Sequence, residues 1–216
     1  RVVALLAQIC DSLAESHERG LVHRDIKPSN LHLARLGLTE DFVKVLDFGL
    51  VALQPERRPS DAGLSVEGVP VGTPSYMAPE AVHGSADLDE RADLYSLGCV
   101  AFWLLTGRPV FEGKPMAVMV AHCNAPPPRL STLGFAVPAP LEALVRQCLA
   151  KDPADRPRSA RALRESLGAL RLSGWSPAEA KAWWQQCSPE TGDMSLPPVA
   201  ISPGLADTVS VESAAS

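Results

Sequence analysis

One short polar stretch constrains what this chain can fold into more than any other feature of its sequence. It begins at His23 and carries a carboxylate at Asp25, an ammonium group at Lys27 and an amide at Asn30. A second carboxylate, Asp47, follows at the end of the next apolar segment. A helical apolar pattern precedes the stretch and short apolar runs follow it. This order predicts a loop between a helix and a hairpin.

These side chains form the set that transfer of a phosphoryl group to a hydroxyl requires. The hydroxyl needs an acceptor for its proton, the phosphoryl group needs positive charge, and Mg²⁺ needs oxygen ligands from two directions. We therefore predict that Asp25 orients the hydroxyl and that Lys27 contacts the γ-phosphate. Asn30 and Asp47 are predicted to bind the metal.

Further motifs follow the polar stretch in order. They are Asp47-Phe48-Gly49, Gly72–Met77 with Ala78-Pro79-Glu80, Asp93–Gly98, and Asp152–Pro157. Together they resemble the catalytic loop, the metal-binding segment, the end of the activation segment, the buried helix and the conserved arginine segment of protein kinases. Each motif alone is weak, because His-Arg-Asp is also a common polar turn. Their order and separations make the resemblance specific over about residues 1–170.

The resemblance implies a mainly α fold. It is that of the C-terminal lobe of a kinase domain, a helical bundle with a small β-hairpin at the catalytic loop, without the N-terminal lobe. The implied cofactors are ATP, contacted by Lys27, Asn30 and Asp47, and Mg²⁺. Lys27 together with Thr73 resembles the serine/threonine kinases, which implies a protein substrate with a Ser or Thr acceptor. The tyrosine at position 95 and the high Pro and Ala content resemble the bacterial branch of the family.

Other residues receive structural roles from the same resemblance. Asp93 is expected to be a buried carboxylate that holds the backbone of the catalytic loop. Glu80 and Arg156 are expected to form an ion pair that braces the lobe. His23 and Phe48 are interpreted as packing residues, since no Ser or Cys nucleophile motif accompanies the histidine to form a triad.

Arg24 implies regulation, because a phosphate on the activation segment would give this arginine a charged partner. The candidate acceptors are Ser60, Ser65 and Thr73. Thr73 is also the expected partner of Lys27, a supporting role. The Pro-, Ser- and Gly-rich composition of 51–71 predicts an exposed loop, and Ser60 and Ser65 remain open to a simpler interpretation as loop-forming serines.

Apolar periodicity identifies the main helices. They are predicted over 1–19, 90–106, 115–123, 141–150 and 158–170. Ser176 and Glu179 have the spacing of a capping box, and Pro177 suits a first helical position. A further helix is therefore predicted over 177–187.

The hairpin is predicted from two apolar runs, Leu31–Leu33 and Phe42–Leu46. The polar connection around Gly37–Asp41 is interpreted as a surface turn. His32 stands where the family usually has an aliphatic or aromatic residue under the adenine ring. It either stacks there or weakens nucleotide affinity, and both alternatives stay open.

We divide the chain into three parts. Residues 1–172 form the C-terminal lobe of the catalytic domain, with the activation segment at about 47–80. Residues 173–187 hold the additional helix. Residues 188–216 are rich in Ser, Pro, Ala and Val without periodicity, which predicts a disordered tail or linker.

The sequence contains no Gly-rich loop, no Val-Ala-x-Lys strand and no helix with the glutamate that pairs with that lysine. In this family these parts cover the triphosphate and orient its phosphates. We therefore expect the chain alone to be inactive and to need an N-terminal lobe as partner. The alternative is a noncatalytic, kinase-derived interaction module. A phosphohydrolase is poorly supported, because no His-rich or multi-carboxylate cluster accompanies the aspartates.

Composition gives no support to several other functional classes. The net charge of -5 gives no reason to expect a nucleic acid or an anionic membrane as partner. Five scattered cysteines without a C-x-x-C pair are expected to be reduced and mostly buried. No run reaches the roughly 18 apolar residues of a membrane span. We expect a cytoplasmic chain, although a longer parent could be membrane-anchored. The face toward the N-terminal lobe is expected to be an apolar patch lined by residues near Leu31 and Phe48.

Overall fold

The computed structural model describes residues 1–47, 73–85, 88–170, 172 and 174–187. Helices dominate these residues, and two strands form one antiparallel hairpin. In chain order the elements are α1 (Val2–Glu18), β1 (Leu31–Leu36), β2 (Thr39–Val45), α2 (Pro79–Val82), α3 (Arg91–Thr106), α4 (Pro115–Asn124), α5 (Ala139–Cys148), α6 (Ala160–Ala169) and α7 (Pro177–Cys187). Short 3₁₀ turns lie at Pro28–Asn30, Pro74–Tyr76, Leu130–Leu133 and Pro153–Asp155.

Helix α3 is the centre of the fold. Every residue from 92 to 102 is buried, as expected for a helix that is apolar on nearly all faces. It packs against α1 on one side and α5 on the other. Gly98 permits the close approach to α5, because a Cβ built there would lie 2.8 Å from Cβ of Cys148. Gly107, with φ +71°, ends the helix in the left-handed conformation.

Helix α1 buries an apolar face against this centre and packs along α6. Ser159 caps α6, since its hydroxyl accepts the backbone N–H of Ala162 at 3.1 Å. The predicted capping box of α7 is also present. The Ser176 hydroxyl accepts the N–H of Glu179 at 3.2 Å, and the Glu179 carboxylate accepts the N–H of Ser176 at 2.8 Å.

The helices predicted from periodicity are confirmed. The predicted span 115–123 corresponds to α4, 141–150 to α5 and 158–170 to α6, with ends that differ by at most two residues. Proline explains the earlier start of α5, because Pro140 stands within its first turn. The tail 188–216 lies outside the described residues.

The hairpin differs from the prediction at its turn. Strand β1 pairs with β2 from Leu31 opposite Val45 as far as Leu36 opposite Thr39. The turn is only Gly37 and Leu38. Asp41, which we expected in a surface turn, lies inside β2 and is 3% exposed. That expectation was wrong because the Asp41 carboxylate has partners from distant parts of the chain.

The described cysteines follow the prediction. Cys10, Cys99 and Cys148 are buried free thiols, and Cys123 is a partly buried one. Burial raises the pKa of the Cys148 thiol to about 12, so this sulfur stays protonated and behaves as an apolar side chain. Within the described ranges, no helix combines the length and apolar character that crossing a bilayer requires.

Candidate active site

The backbone of the catalytic loop, residues 23–30, is held by the buried carboxylate of Asp93 at the start of α3. The N–H of His23 donates to its Oδ2 at 2.8 Å, and the N–H of Arg24 donates to its Oδ1 at 2.7 Å. Asp93 is 0% exposed. The predicted role of Asp93 is thus confirmed. Arg24 needs such support, because its φ of +67° costs a non-glycine residue roughly 1 kcal/mol or more.

His17 is a third partner of this carboxylate that the sequence did not reveal. Its Nε2 lies 2.8 Å from Oδ2 of Asp93, and its side chain is 4% exposed. By its spacing in the sequence, His17 falls on the apolar face of α1. A histidine on such a face was the available signal, but its partner is 76 residues away. The C-terminal end of α1 is therefore joined to the catalytic loop through Asp93.

Asp25, Lys27 and Asn30 meet in one cluster. Nζ of Lys27 lies 2.6 Å from Oδ2 of Asp25. The amide nitrogen of Asn30 donates to the backbone oxygen of Asp25 at 2.8 Å and to its carboxylate at 3.1 Å. Asn30 is 6% exposed, whereas the side chain of Asp25 is 41% exposed. The buried amide thus fixes a carboxylate that faces solvent.

Lys27 also reaches the C-terminal part of the predicted activation segment. Its Nζ donates to Oγ1 of Thr73 at 3.1 Å, which is the contact that the resemblance implied. The same segment is held from below, because the Ser96 hydroxyl donates to the backbone oxygen of Tyr76 at 2.7 Å. Lys27 therefore connects the catalytic loop to the loop Thr73–Tyr76.

Asp47 lies beside this cluster because the residue before it is held there. The N–H of Leu46 donates to the backbone oxygen of Asn30 at 2.8 Å. The His23 ring lies with Nε2 2.8 Å from the backbone oxygen of Leu46. Asp47 itself is exposed and has φ +57°. His23 is 2% exposed, which agrees with its predicted packing role, and its ring also contacts the backbone oxygen of the residue before Asp47.

The side-chain oxygens of Asn30 and Asp47 are of the kind that Mg²⁺ binds. The amide nitrogen of Asn30 donates both of its hydrogen bonds to Asp25, so the amide oxygen is available to a metal ion. In the part of the chain described, the Asp47 carboxylate makes no hydrogen bond or ion pair. Across those same residues no three His, Cys, Asp or Glu side chains converge on a metal site. Mg²⁺ commonly binds through one or two carboxylates together with substrate phosphates, and this pair fits that pattern.

The predicted ion pair between Glu80 and Arg156 is present. Nη1 and Nη2 of Arg156 lie 2.6 and 2.7 Å from the two carboxylate oxygens of Glu80. The Arg156 side chain is 0% exposed and also donates to backbone oxygens of Arg91, Ala150 and Lys151. The buried charge is therefore fully bonded, as a stable buried ion pair requires.

The structure describes some of the other predicted residues and not others. Ser60, Ser65 and Phe48 lie outside the described residues. Arg24 is exposed, and among the described residues its guanidinium makes no hydrogen bond. The side chain of His32 is exposed on β1. Leu31 packs partly buried against the core, and the apolar inter-lobe patch stays a prediction.

A buried polar cluster beneath Thr73–Tyr76 was missed by the sequence analysis. The hydroxyl of Tyr95 lies 2.8 Å from Nδ1 of His122, and Nζ of Lys151 donates to that hydroxyl at 3.3 Å. His122 is 0% exposed and lies near the backbone of Ser75. Burial, followed by the charge of Lys151, lowers the pKa of His122 to about 4. The ring is therefore neutral at pH 7.

Comparison with known proteins agrees with this geometry. The protein kinase domain family matches residues 1–167. Serine/threonine-protein kinase Pkn1 of Myxococcus xanthus is 47% identical over 167 residues, which cover 77% of this chain and 23% of that protein. Serine/threonine-protein kinase PknB of Mycobacterium tuberculosis is 36% identical over 183 residues, which cover 83% of this chain and 27% of that protein.

A solved structure shows the likeness of the fold. The crystal structure of Rad53 1-466 in complex with AMP-PNP matches with a TM-score of 0.59 at 22% identity, over 76% of this chain and 38% of that chain. The chain spans about a quarter of the length of the two curated relatives. The family match, by contrast, covers most of this chain, from its first residue through α1, the hairpin and the helices as far as α6. This chain therefore belongs to the protein kinase family.

Proposed function

We propose that this chain carries the catalytic residues of an ATP-dependent protein serine/threonine kinase. The observation that supports this most is the position of Lys27. Its ammonium group lies between the carboxylate of Asp25 and the hydroxyl of Thr73, on a loop whose backbone is fixed by Asp93. The relatives Pkn1 and PknB are named as serine/threonine-protein kinases, which agrees with this proposal.

Asp25 acts on the acceptor hydroxyl in this proposal. Its carboxylate is half exposed, so a substrate side chain can approach it. The carboxylate would accept a hydrogen bond from the Ser or Thr hydroxyl and orient its oxygen toward the phosphorus atom. The bonds from Asn30 hold the carboxylate in one position, which reduces the reorientation needed when substrate binds.

Lys27 supplies positive charge to the transferred group. In the structure it is paired with Asp25 at 2.6 Å. A γ-phosphate of ATP would offer it a second anionic partner and thereby share its charge between phosphate and Asp25. Its bond to Thr73 ties this charge to the loop on which the acceptor segment of a protein substrate would bind.

Asn30 and Asp47 would hold Mg²⁺ and, through it, the nucleotide phosphates. The ion supplies charge neutralisation of the phosphate oxygens. Asn30 is buried and fixed, whereas Asp47 is exposed and carries no competing partner within the described residues. The hydrogen bond from Leu46 to Asn30 keeps the two ligands on adjacent backbone segments.

The 216 residues alone are proposed to lack turnover. They contain no Gly-rich loop or Val-Ala-x-Lys strand, which in this family cover the triphosphate and orient the α- and β-phosphates. Asp25, Lys27, Asn30 and Asp47 can act on the γ-phosphate only when another part holds the nucleotide above them.

An assay with γ-labelled Mg·ATP and a generic protein acceptor tests this proposal. The chain is assayed alone and after joining it to the N-terminal lobe of a serine/threonine kinase relative. We expect no label above background for the chain alone, and label on serine or threonine for the joined protein. A joined protein that binds Mg·ATP yet transfers no label would contradict the proposal and favour a noncatalytic interaction module.

A further inference from the structure

Asp41 stands at a position of β2 that usually requires glycine. Between the pairs Ala34–Phe42 and Leu36–Thr39, β1 has one residue and β2 has two, which is a β-bulge. Asp41 is one of those two residues and has φ +56°. The left-handed conformation favours glycine, and aspartate adopts it at some cost. An aspartate here therefore calls for a specific role of its side chain.

The Asp41 carboxylate accepts four hydrogen bonds, two on each oxygen. Arg1 donates to Oδ2 at 2.8 Å from Nε and to Oδ1 at 2.7 Å from Nη2. The indole Nε1 of Trp175 donates to Oδ2 at 2.7 Å, and that of Trp184 donates to Oδ1 at 2.8 Å. Burial acts to raise the pKa of Asp41, but the hydrogen bonds from Arg1, Trp175 and Trp184 together outweigh it and lower the pKa, so the carboxylate is charged at pH 7. Charged acceptors give the stronger protein hydrogen bonds.

The segment that supplies the two indoles lies beyond the kinase family match, which ends at residue 167. Helix α7 packs directly on β2. The guanidinium of Arg1 lies 3.4 Å from the ring centre of Trp183, so the segment also covers the start of α1. The three indoles thus surround one ion pair that joins α1 to the bulge.

The bulge is rigidly connected to the metal-binding end of the hairpin. The side chain of Gln8 donates to the backbone oxygen of Asp41 at 2.8 Å and accepts the N–H of Val43 at 3.1 Å. Val43 and Val45 are then buried in the core. From Asp41 the chain continues along β2 and through Leu46 to Asp47, a span of at most about 20 Å at about 3.3 Å per residue. The hydrogen bond that follows β2, from Leu46 to Asn30, lies beside the proposed metal ligands.

We propose that residues 174–187 form a clasp on the bulged end of the hairpin. Trp175 and Trp184 act through Asp41 as positioning residues for the opposite, metal-binding end. The clasp fixes the register of β2 at the one point where its pairing with β1 is irregular. The positioning role rests on the proposed function, because that function assigns the metal to Asn30 and Asp47. The clasp itself does not depend on it.

Hydrogen exchange of individual amides in the 216-residue chain, without nucleotide, tests the clasp. The variant carries Trp175→Phe and Trp184→Phe, which keep ring bulk and remove both donors. Exchange of the Leu46 amide and of the β2 amides is expected to accelerate at least tenfold, because two bonds to a charged acceptor are lost. The amides of α3 and α5 are expected to change less than twofold. Trp183→Phe is the matched control, since Trp183 makes no bond to Asp41, and it should leave the Leu46 amide protected.

A second variant, Asp41→Gly, keeps a residue that tolerates positive φ and removes the carboxylate. It should accelerate the same amides as the double variant. Unchanged exchange at Leu46, or an equal acceleration in α3, α5 and the hairpin, would overturn the proposal. Should the double variant not fold, exchange of the same amides is measured in each single variant, Trp175→Phe and Trp184→Phe. Failure of phosphoryl transfer by the joined protein would leave these results unaffected, which separates the clasp from the proposed function.

Discussion

Asp93 and His122 are both 0% exposed, and each stays buried for a different reason. Asp93 is a carboxylate with partners from His17, His23 and Arg24, so its burial strengthens bonds that hold the catalytic loop. His122 avoids the cost of a buried charge by staying neutral. Its ring is tied to Tyr95 beneath the loop Thr73–Tyr76.

The neutral state of His122 predicts a pH dependence of stability. Its pKa is about 4 when folded and about 6.5 when unfolded, so the unfolded chain takes up the proton first as pH falls. Stability is therefore highest above pH 6.5 and declines toward pH 4. Between pH 7 and 5 this group should cost about 2 kcal/mol of unfolding free energy, which urea unfolding at several pH values measures.

His83 provides the control for this prediction, because it is exposed. His122→Gln should flatten the decline between pH 7 and 5, whereas His83→Gln should leave it unchanged. Equal slopes for the wild type and His122→Gln would show that the ring does not carry the pH dependence.

Site residues could be predicted where a short motif fixes their neighbours. Asp93 and the pair Glu80–Arg156 were placed by motif order, and their contacts are confirmed. His17 and Asp41 were not found, because their partners lie far along the chain. Asp41 meets an indole 143 residues away, and no local pattern indicates such a partner.

The elements show the same division between local and distant causes. Helices α4 to α7 follow from apolar periodicity, proline and capping residues, which all act within a few positions. The hairpin was predicted with too long a turn. A polar residue in a strand resembles a turn residue until its partners are known. Those of Asp41 come from residues 174–187 and from Arg1, just before α1.

Alanine substitutions of two glycines, Gly98 at the contact between α3 and α5 and Gly168 in α6, should have opposite effects on stability. Gly98→Ala would place a Cβ 2.8 Å from Cβ of Cys148 and 3.2 Å from Leu149. Overpacking of this kind costs about 1–3 kcal/mol, more than the roughly 1 kcal/mol that alanine gains in a helix. In the described part of the chain, a Cβ at position 168 in α6 would meet only the flexible Arg164 side chain, at 3.4 Å, so Gly168→Ala should be accommodated. Urea unfolding should show the first variant destabilised and the second stabilised by up to about 1 kcal/mol.

The two glycines are matched in chemistry, so their difference isolates the contact. A Gly98→Ala variant at least as stable as Gly168→Ala would show that α3 and α5 do not approach each other as closely as the structure has them.

At the scale of the whole molecule, buried polar contacts connect the site to both ends of the described chain. Arg156, which lies just before α6, is joined to α2 through its ion pair with Glu80. The clasp joins α7 to the hairpin, and Asp93 joins α3 to the catalytic loop. The proposed catalytic residues are thus positioned by distant helices rather than by the loop alone.

The central claim is that Asp25 and Asp47 perform separate parts of one phosphoryl transfer. The most direct measurement compares Mg·ATP binding and transfer of the γ-phosphoryl group in Asp25→Asn and Asp47→Asn, both in the chain joined to an N-terminal lobe. Asp11→Asn is the control, because among the described residues the Asp11 carboxylate makes only an exposed ion pair with Arg164.

We predict that Asp25→Asn binds Mg·ATP like the wild type and transfers phosphoryl groups about 10²–10⁴-fold more slowly. Asp47→Asn should lose the Mg²⁺ dependence of nucleotide binding, and Asp11→Asn should match the wild type in both measurements. Wild-type transfer by Asp25→Asn, or Mg²⁺-dependent binding that is unchanged in Asp47→Asn, would contradict the account.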